Sequence, residues 1–219
     1  IAISVLSIPV LYLIHVDYKS FMSLGPGGTP QTPLGYLKLR FLSIFALSNP
    51  YEPPNVPRCC RPQKGVLTLE KSRKGPRPEV RGIAPHRQTT QKGGEKAYQQ
   101  LCDAVSQFAR EKNNQMKLGT SCFEKNSTGL FSTSPIALTC NGEICHAHPS
   151  DGSLHLTLHP ADVAIVLEKG WGERHPLAKG GWLSRFVPNF FIMVYAPRDE
   201  EELEVVKEII CAAAWYVGG

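Results

Sequence analysis

No Cys-x-x-Cys pair occurs in this sequence, and its seven cysteines are an odd count with Cys59 and Cys60 adjacent. That spacing argues against a structural zinc ribbon and against a disulfide framework, and leaves reduced thiols in a cytosol-facing domain as the simplest account. Gly-x-Ser-x-Gly and glycine-rich phosphate loops are also missing, so neither a nucleophile elbow nor a nucleotide cradle is expected. No internal repeat is apparent. The balance of charge is only mildly basic, +5 net with a pI near 8.8. No basic helix or interleaved aromatic series accompanies it, which speaks against nucleic acid as a partner. A full membrane span of about 20 apolar residues is lacking as well. The nearest approach is Ile1 to Val16, IAISVLSIPVLYLIHV.

That run carries no acidic or basic residue other than His15 and begins without a methionine, as the remainder of a longer apolar segment would. Pro9 would kink a helix in lipid without forbidding it. Lys19, Lys38 and Arg40 follow on the C-terminal side, and the positive-inside bias then places the rest of the chain in the cytoplasm. The expectation is a membrane anchor over residues 1–18. After a Gly/Pro hinge, Gly35 to Leu47 reads as an amphipathic helix lying on the membrane or on the domain. Pro50, Pro53, Pro54, Pro57 and Pro62 then impose an irregular linker. Residues 19–63 are thus an accessory segment, and residues 64–219 the catalytic domain. The excess of Lys and Arg between Arg58 and Lys96 suits an anionic membrane surface or a solvated loop.

Within 64–219, Gly65 to Glu70 alternates like a strand, and Lys71 to Gly94 reads as basic loop with one more short strand at most. Leu101, Ala104, Val105 and Phe108 recur at helical steps and predict a helix over 94–114. Strands are expected at 117–123, 129–132, 142–148, 153–158 and 190–195, with Asp151-Gly152 turning a hairpin. Pro160 and Gly170 bound a short helix. Asp199 with Glu202 opens a last helix, whose buried stripe is Leu203, Val206, Ile210 and Ala213. Strands flanked by helices at both ends predict an α+β fold with a small, mainly antiparallel sheet.

Gly142 to Leu177, GEICHAHPSDGSLHLTLHPADVAIVLEKGWGERHPL, holds five of the seven histidines. His146 and His148 alternate by two, as do His155, Thr157 and His159, so on pleated strands each set points to one side. Cys145 points to the other. Arg174 and His175 return towards them after the short helix. Two chemistries fit. His146, His148 and a third ligand from His155 or Glu143 make a facial set of the kind that holds iron or zinc, which would serve a metal-dependent hydrolase or lyase. Alternatively, an imidazole beside Arg174 removes a proton from an acidic enol while the guanidinium holds the oxyanion. Trp171 and Tyr195 would then wall an aromatic substrate. His159, directly before Pro160, is assigned a structural place. A non-catalytic, membrane-tethered binding module would keep the fold without needing the histidines.

The strings LHLTL, VLEKGWGERHPLA and VYAPRDEEELEVV closely resemble the C-terminal half of the fungal luciferase family, the enzymes of luminous mushrooms and their dark relatives. At the other end an apolar segment, DYKSF, a Gly-Pro turn and a GY-containing apolar helix follow in the family's order. The resemblance covers both ends well and residues 49–119 poorly. It implies a membrane-anchored enzyme that oxidises 3-hydroxyhispidin, a hydroxylated styryl-pyrone, with molecular oxygen. The family reaction forms a strained peroxide, loses carbon dioxide and involves no metal or organic cofactor. Carried onto this chain, the candidate catalytic residues are His146 or His148 as base, His175 as a second proton-transfer group and Arg174 as anion holder. Glu143, His155, Trp171 and Tyr195 are the candidate substrate contacts. In KGGWLSRFVPNF after Ala178 and in the segment before Glu143 the chain departs from the family pattern. The reading is therefore a luciferase-like oxygenase of a pyrone or related polyphenol, with or without light emission.

Overall fold

The computed structural model describes residues 2–111, 115–134 and 139–218. In chain order its elements are α1 (Ala2–Ser23), α2 (Pro33–Ser43), β1 (Val80–Gly82), β2 (His86–Gln88), α3 (Glu95–Arg110), β3 (Met116–Thr120), β4 (Thr128–Ser132), β5 (Glu143–Ala147), β6 (Leu154–Thr157), α4 (Pro160–Glu168), β7 (Gly172–Arg174), β8 (Phe191–Val194) and α5 (Glu200–Gly218). Six strands pair antiparallel in the order β3-β4-β5-β6-β8-β7, and β1 with β2 forms a separate ribbon. The α+β architecture expected from the strand and helix pattern is thus present.

Strand periodicity divides the sheet into two chemically distinct faces. Leu130, Cys145, Leu156 and Ile192 pair across β4, β5, β6 and β8 in one row, buried with Leu154 and Val194. Val206, Ile209, Ile210 and Ala213 of α5 pack on that face, joined by Leu101 and Val105 of α3. The next row runs Gly129, His146, His155, Met193 and Glu173 and faces the other way. Phe21 of α1, Tyr36, Leu39 and Leu42 of α2, and Leu177, Leu183 and Val187 cover this second side together with Phe191.

Several local expectations hold for the reasons given by their residues. Gly152 has φ +77, the left-handed conformation that the β5–β6 turn demands. Asp199 Oδ1 accepts from the backbone N–H of Glu202 at 2.8 Å and caps α5. The far end of the helix expected over 94–114 lies outside the described residues. One strand fails to form. Gly65 to Glu70 alternates as read, with Leu67 and Leu69 buried, but pairs with no sheet. Asp162 satisfies it instead, accepting from the N–H groups of Val66 and Leu67 at 3.2 and 3.0 Å.

The N-terminal segment needs the main correction. Among the described residues no helix is long and apolar enough to cross a membrane, so the anchor expected over 1–18 is not supported. The uncharged run stops at Val16, whereas α1 continues through Asp17 and Lys19 to Ser23. Its last turns dock on α2: Tyr36 Oη donates to Asp17 Oδ2 at 2.6 Å, and Arg40 lies 3.3 Å from the same carboxylate. Of the two positions expected for the amphipathic helix, α2 takes the one on the domain.

Candidate active site

Beneath α2 lies a cavity of about 220 Å³, open on one side. His86, His146, His155, His175 and Phe191 line its inner end, while Lys38, Lys125, Arg185 and Phe186 stand among its other walls. A second hollow of about 640 Å³ adjoins it and shares Cys122, Phe123, Arg185, Phe186 and Val187 in its lining. Gly28 admits the loop after α1 to this wall, since a Cβ there would sit 2.3 Å from the carbonyl oxygen of Phe123.

Five imidazoles crowd the inner end. The ring centroids of His146, His148 and His155 lie 4.6–5.4 Å apart, and His175 and His86 are each 5.3 Å from His155. All five side chains are buried. His146 Nδ1 lies 2.7 Å from Glu143 Oε1, and the same carboxylate accepts from Ser121 Oγ at 2.7 Å and from the Cys122 N–H at 2.6 Å. In the neutral ring, that acceptor on Nδ1 holds the proton there and leaves the lone pair on Nε2. Two residues of β5 oppose one of β4 next to Glu143, and this bulge turns Glu143 onto the face of His146.

His148 Nδ1 lies 2.9 Å from Ser153 Oγ, which itself donates to Asp151 Oδ1 at 2.6 Å. Its Nε2 is buried with no hydrogen-bond partner among the described residues. Burial first, then its charged neighbours, push His148 down to about 3, although Asp151 pulls the other way. Burial raises Asp151, but its bonds from His148 and Ser153 outweigh that and hold it below the ordinary carboxylate range. His155 and His175 are likewise held well below the usual imidazole range, burial being the largest cause and the other imidazoles the next. All three are therefore uncharged at neutral pH.

His86 stands outside the histidine-rich stretch. Its Nδ1 is 3.1 Å from His155 Nε2, its Nε2 is 3.4 Å from Glu173 Oε1, and Tyr195 Oη donates to Glu173 Oε2 at 2.9 Å. The signal in sequence was a histidine between Pro85 and Arg87 in a segment without apolar periodicity, which nothing local distinguishes from loop. Asp151 brings it in by accepting from the N–H of Gln88 at 3.1 Å.

Of the sequence-derived candidates, His146, His155 and His175 reach the cavity, and His148 lies just behind them. Glu143 and Tyr195 stand behind the imidazoles, orienting them directly or through Glu173. Arg174 does not join them. It pairs with Ile192 in the opposite row, and its guanidinium donates to the carbonyls of Ala178 at 2.6 Å and Glu52 at 3.3 Å. Trp171 is part of the apolar core on the far face, with Nε1 donating to Lys71 O at 2.8 Å. His159 caps α4 through Nδ1, accepting from the Ala161 N–H at 3.2 Å, the structural place expected for it. Cys145, in the apolar row, is pushed up by burial.

A luciferase-domain family model matches residues 141–213. The luciferase of Neonothopanus nambi is 30% identical over 233 residues, covering 94% of this chain and 81% of that protein. The luciferases of Armillaria mellea and Armillaria ostoyae are each 30% identical over 244 residues, 99% of this chain and 86% of theirs. No solved structure matches the chain.

Proposed function

The chain belongs to the fungal luciferase family, and from that premise we propose that it is an oxygenase acting on a hydroxylated pyrone or related polyphenol such as 3-hydroxyhispidin. Oxygen would add to the enolate of the substrate and carbon dioxide would leave, with or without light emission according to how the pocket holds the product. The observation that carries this reading is the cluster of buried imidazoles lining a cavity among whose other walls stand Phe123, Phe186, Lys38 and Arg185. An imidazole in its neutral form at such a place can accept the proton of an acidic enol.

His146 is the best placed acceptor. Its Nε2 is the basic nitrogen, and Glu143 on Nδ1 steadies the imidazolium that forms. Lys38 and Arg185 line the same cavity and take the anion-holding role assigned in sequence to Arg174. A two-ring substrate would lie with the pyrone against the imidazoles and the second ring towards Phe186, which lines the same cavity. The buried end formed by the imidazoles keeps water from the activated intermediate.

The test is to mix the purified protein with 3-hydroxyhispidin in air and follow oxygen uptake, carbon dioxide release and photons together. Uptake and release in equal amounts support the reading, with photons deciding between a luminous and a dark enzyme. No oxygen uptake by folded protein overturns it.

A further inference from the structure

We propose that His146, His148 and His155 bind one divalent first-row transition-metal ion, of the zinc, iron, nickel or copper kind, at the inner end of the cleft. One nitrogen from each lies within 4.8 Å of the others. Zinc and its neighbours bind imidazole at about 2.0–2.1 Å, which places tetrahedral ligand atoms about 3.4 Å apart. Small ring rotations close the difference.

Two features distinguish this set from an accidental pile of buried rings. The remote nitrogen of His146 is held by Glu143, and that of His148 by Ser153, itself anchored on Asp151. Metal-binding imidazoles characteristically carry a carboxylate or hydroxyl on the nitrogen that does not touch the ion, because this fixes the tautomer and the ring plane. Second, the nitrogen so freed on His148 is fully buried and has no partner among the described residues. A core position filled for packing alone would not retain a polar atom in that state.

The alternative triad of His86, His155 and His175 is poorer. His175 Nδ1 already accepts from the Leu177 N–H at 3.1 Å, and Ile83 bonds the same side chain. Glu173 and His155 occupy the two nitrogens of His86.

Three neutral ligands leave open positions towards the cavity, and a hydroxyl next to a carbonyl on a pyrone ring is a bidentate oxygen chelator. This part rests on the function proposed above. Coordination would release the hydroxyl proton to solvent at the mouth and place the ion's charge on the enolate oxygen, in place of direct proton acceptance by His146.

The experiment measures the metal content of protein purified without chelators, then titrates chelator-stripped protein with Co2+ and follows its visible d–d absorption. About one ion per chain is expected, with a Co2+ spectrum that the exposed-site variant H15A retains and H148A and H155A lose. S153A, which keeps all three imidazoles, should weaken Co2+ binding by about 10–100-fold. Circular dichroism checks that each variant folds. Absence of a Co2+ spectrum in folded wild-type protein overturns the proposal, and so does equal Co2+ binding by H148A and H155A. Full oxygen uptake by stripped enzyme would remove the ion from the reaction, whereas metal bound with no uptake would sink the oxygenase reading and leave the site standing.

Discussion

Glu143 and His146 are three residues apart on one strand, yet their side chains meet at 2.7 Å on the same face of the sheet. A regular strand would send positions i and i+3 to opposite sides. The irregular register between β4 and β5 removes one step from the alternation. For E143Q we expect oxygen uptake to fall about 100-fold, because glutamine can offer its amide N–H to Nδ1 and move the imidazole proton to Nε2. The variant should stay folded, since the Cys122 N–H keeps an acceptor in the remaining side-chain oxygen. Steady-state oxygen-electrode kinetics with a melting curve decide it, and uptake within threefold of wild type would remove Glu143 from the chemistry.

Arg174 and Arg185 should separate stability from turnover. The R174A change takes charged donors from two backbone carbonyls and is expected to destabilise the fold by about 2–3 kcal/mol while leaving turnover per folded molecule nearly unchanged. By contrast, R185A alters a cavity wall and should raise KM about tenfold, the loss of one charge-assisted contact. Chemical denaturation and kinetics on both variants test the contrast, which fails if R174A is the one with the altered KM.

Acid should loosen the metal-free protein well above the carboxylate range. His148, His155 and His175 all have folded-state values below the unfolded imidazole value of about 6.5. As pH drops below about 6.5, the unfolded chain takes up protons that the folded chain refuses. Stability is therefore complete above that point and declines towards about 3, the value of His148. Each group contributes at most about 1.4 kcal/mol per pH unit over its window. Urea midpoints collected between about pH 7.5 and about pH 4.5 should fall steadily; a flat series would show that these rings are protonated in the native state.

His86 and His159 should behave oppositely. H86A breaks the line from His155 to Glu173 and is expected to cost about tenfold or more in oxygen uptake. H159A removes a helix cap on the far side of the sheet and should cost about 1 kcal/mol of stability without altering turnover of the folded fraction. Equal effects on uptake would mean that the inner end of the cleft is not where oxygen chemistry occurs.

Much of the fold could be read along the chain because strand alternation and helix caps are local. The β5–β6 hairpin, the stop at Gly170 and the stripe of α5 all rest on a few neighbouring residues. The face on which Arg174 lies was not legible, for it depends on the register between β7 and β8, which joins Glu173 to the histidine row and Arg174 to the apolar one. His86 was missed for a related reason: Asp151, 63 residues away from Gln88, draws it in. Gly65 to Glu70 shows the converse, a true alternation that Asp162 diverts from any sheet.

The docking of α2 sets a limit on how far this enzyme can be trimmed. Lys38, Leu39 and Leu42 belong to the cavity wall, and Asp17 on α1 ties down Tyr36 and Arg40 from outside. A minimal version reduced to residues 141–213 would keep four of the five clustered imidazoles and lose the roof above them. Shortening for solubility has therefore to stop before Asp17.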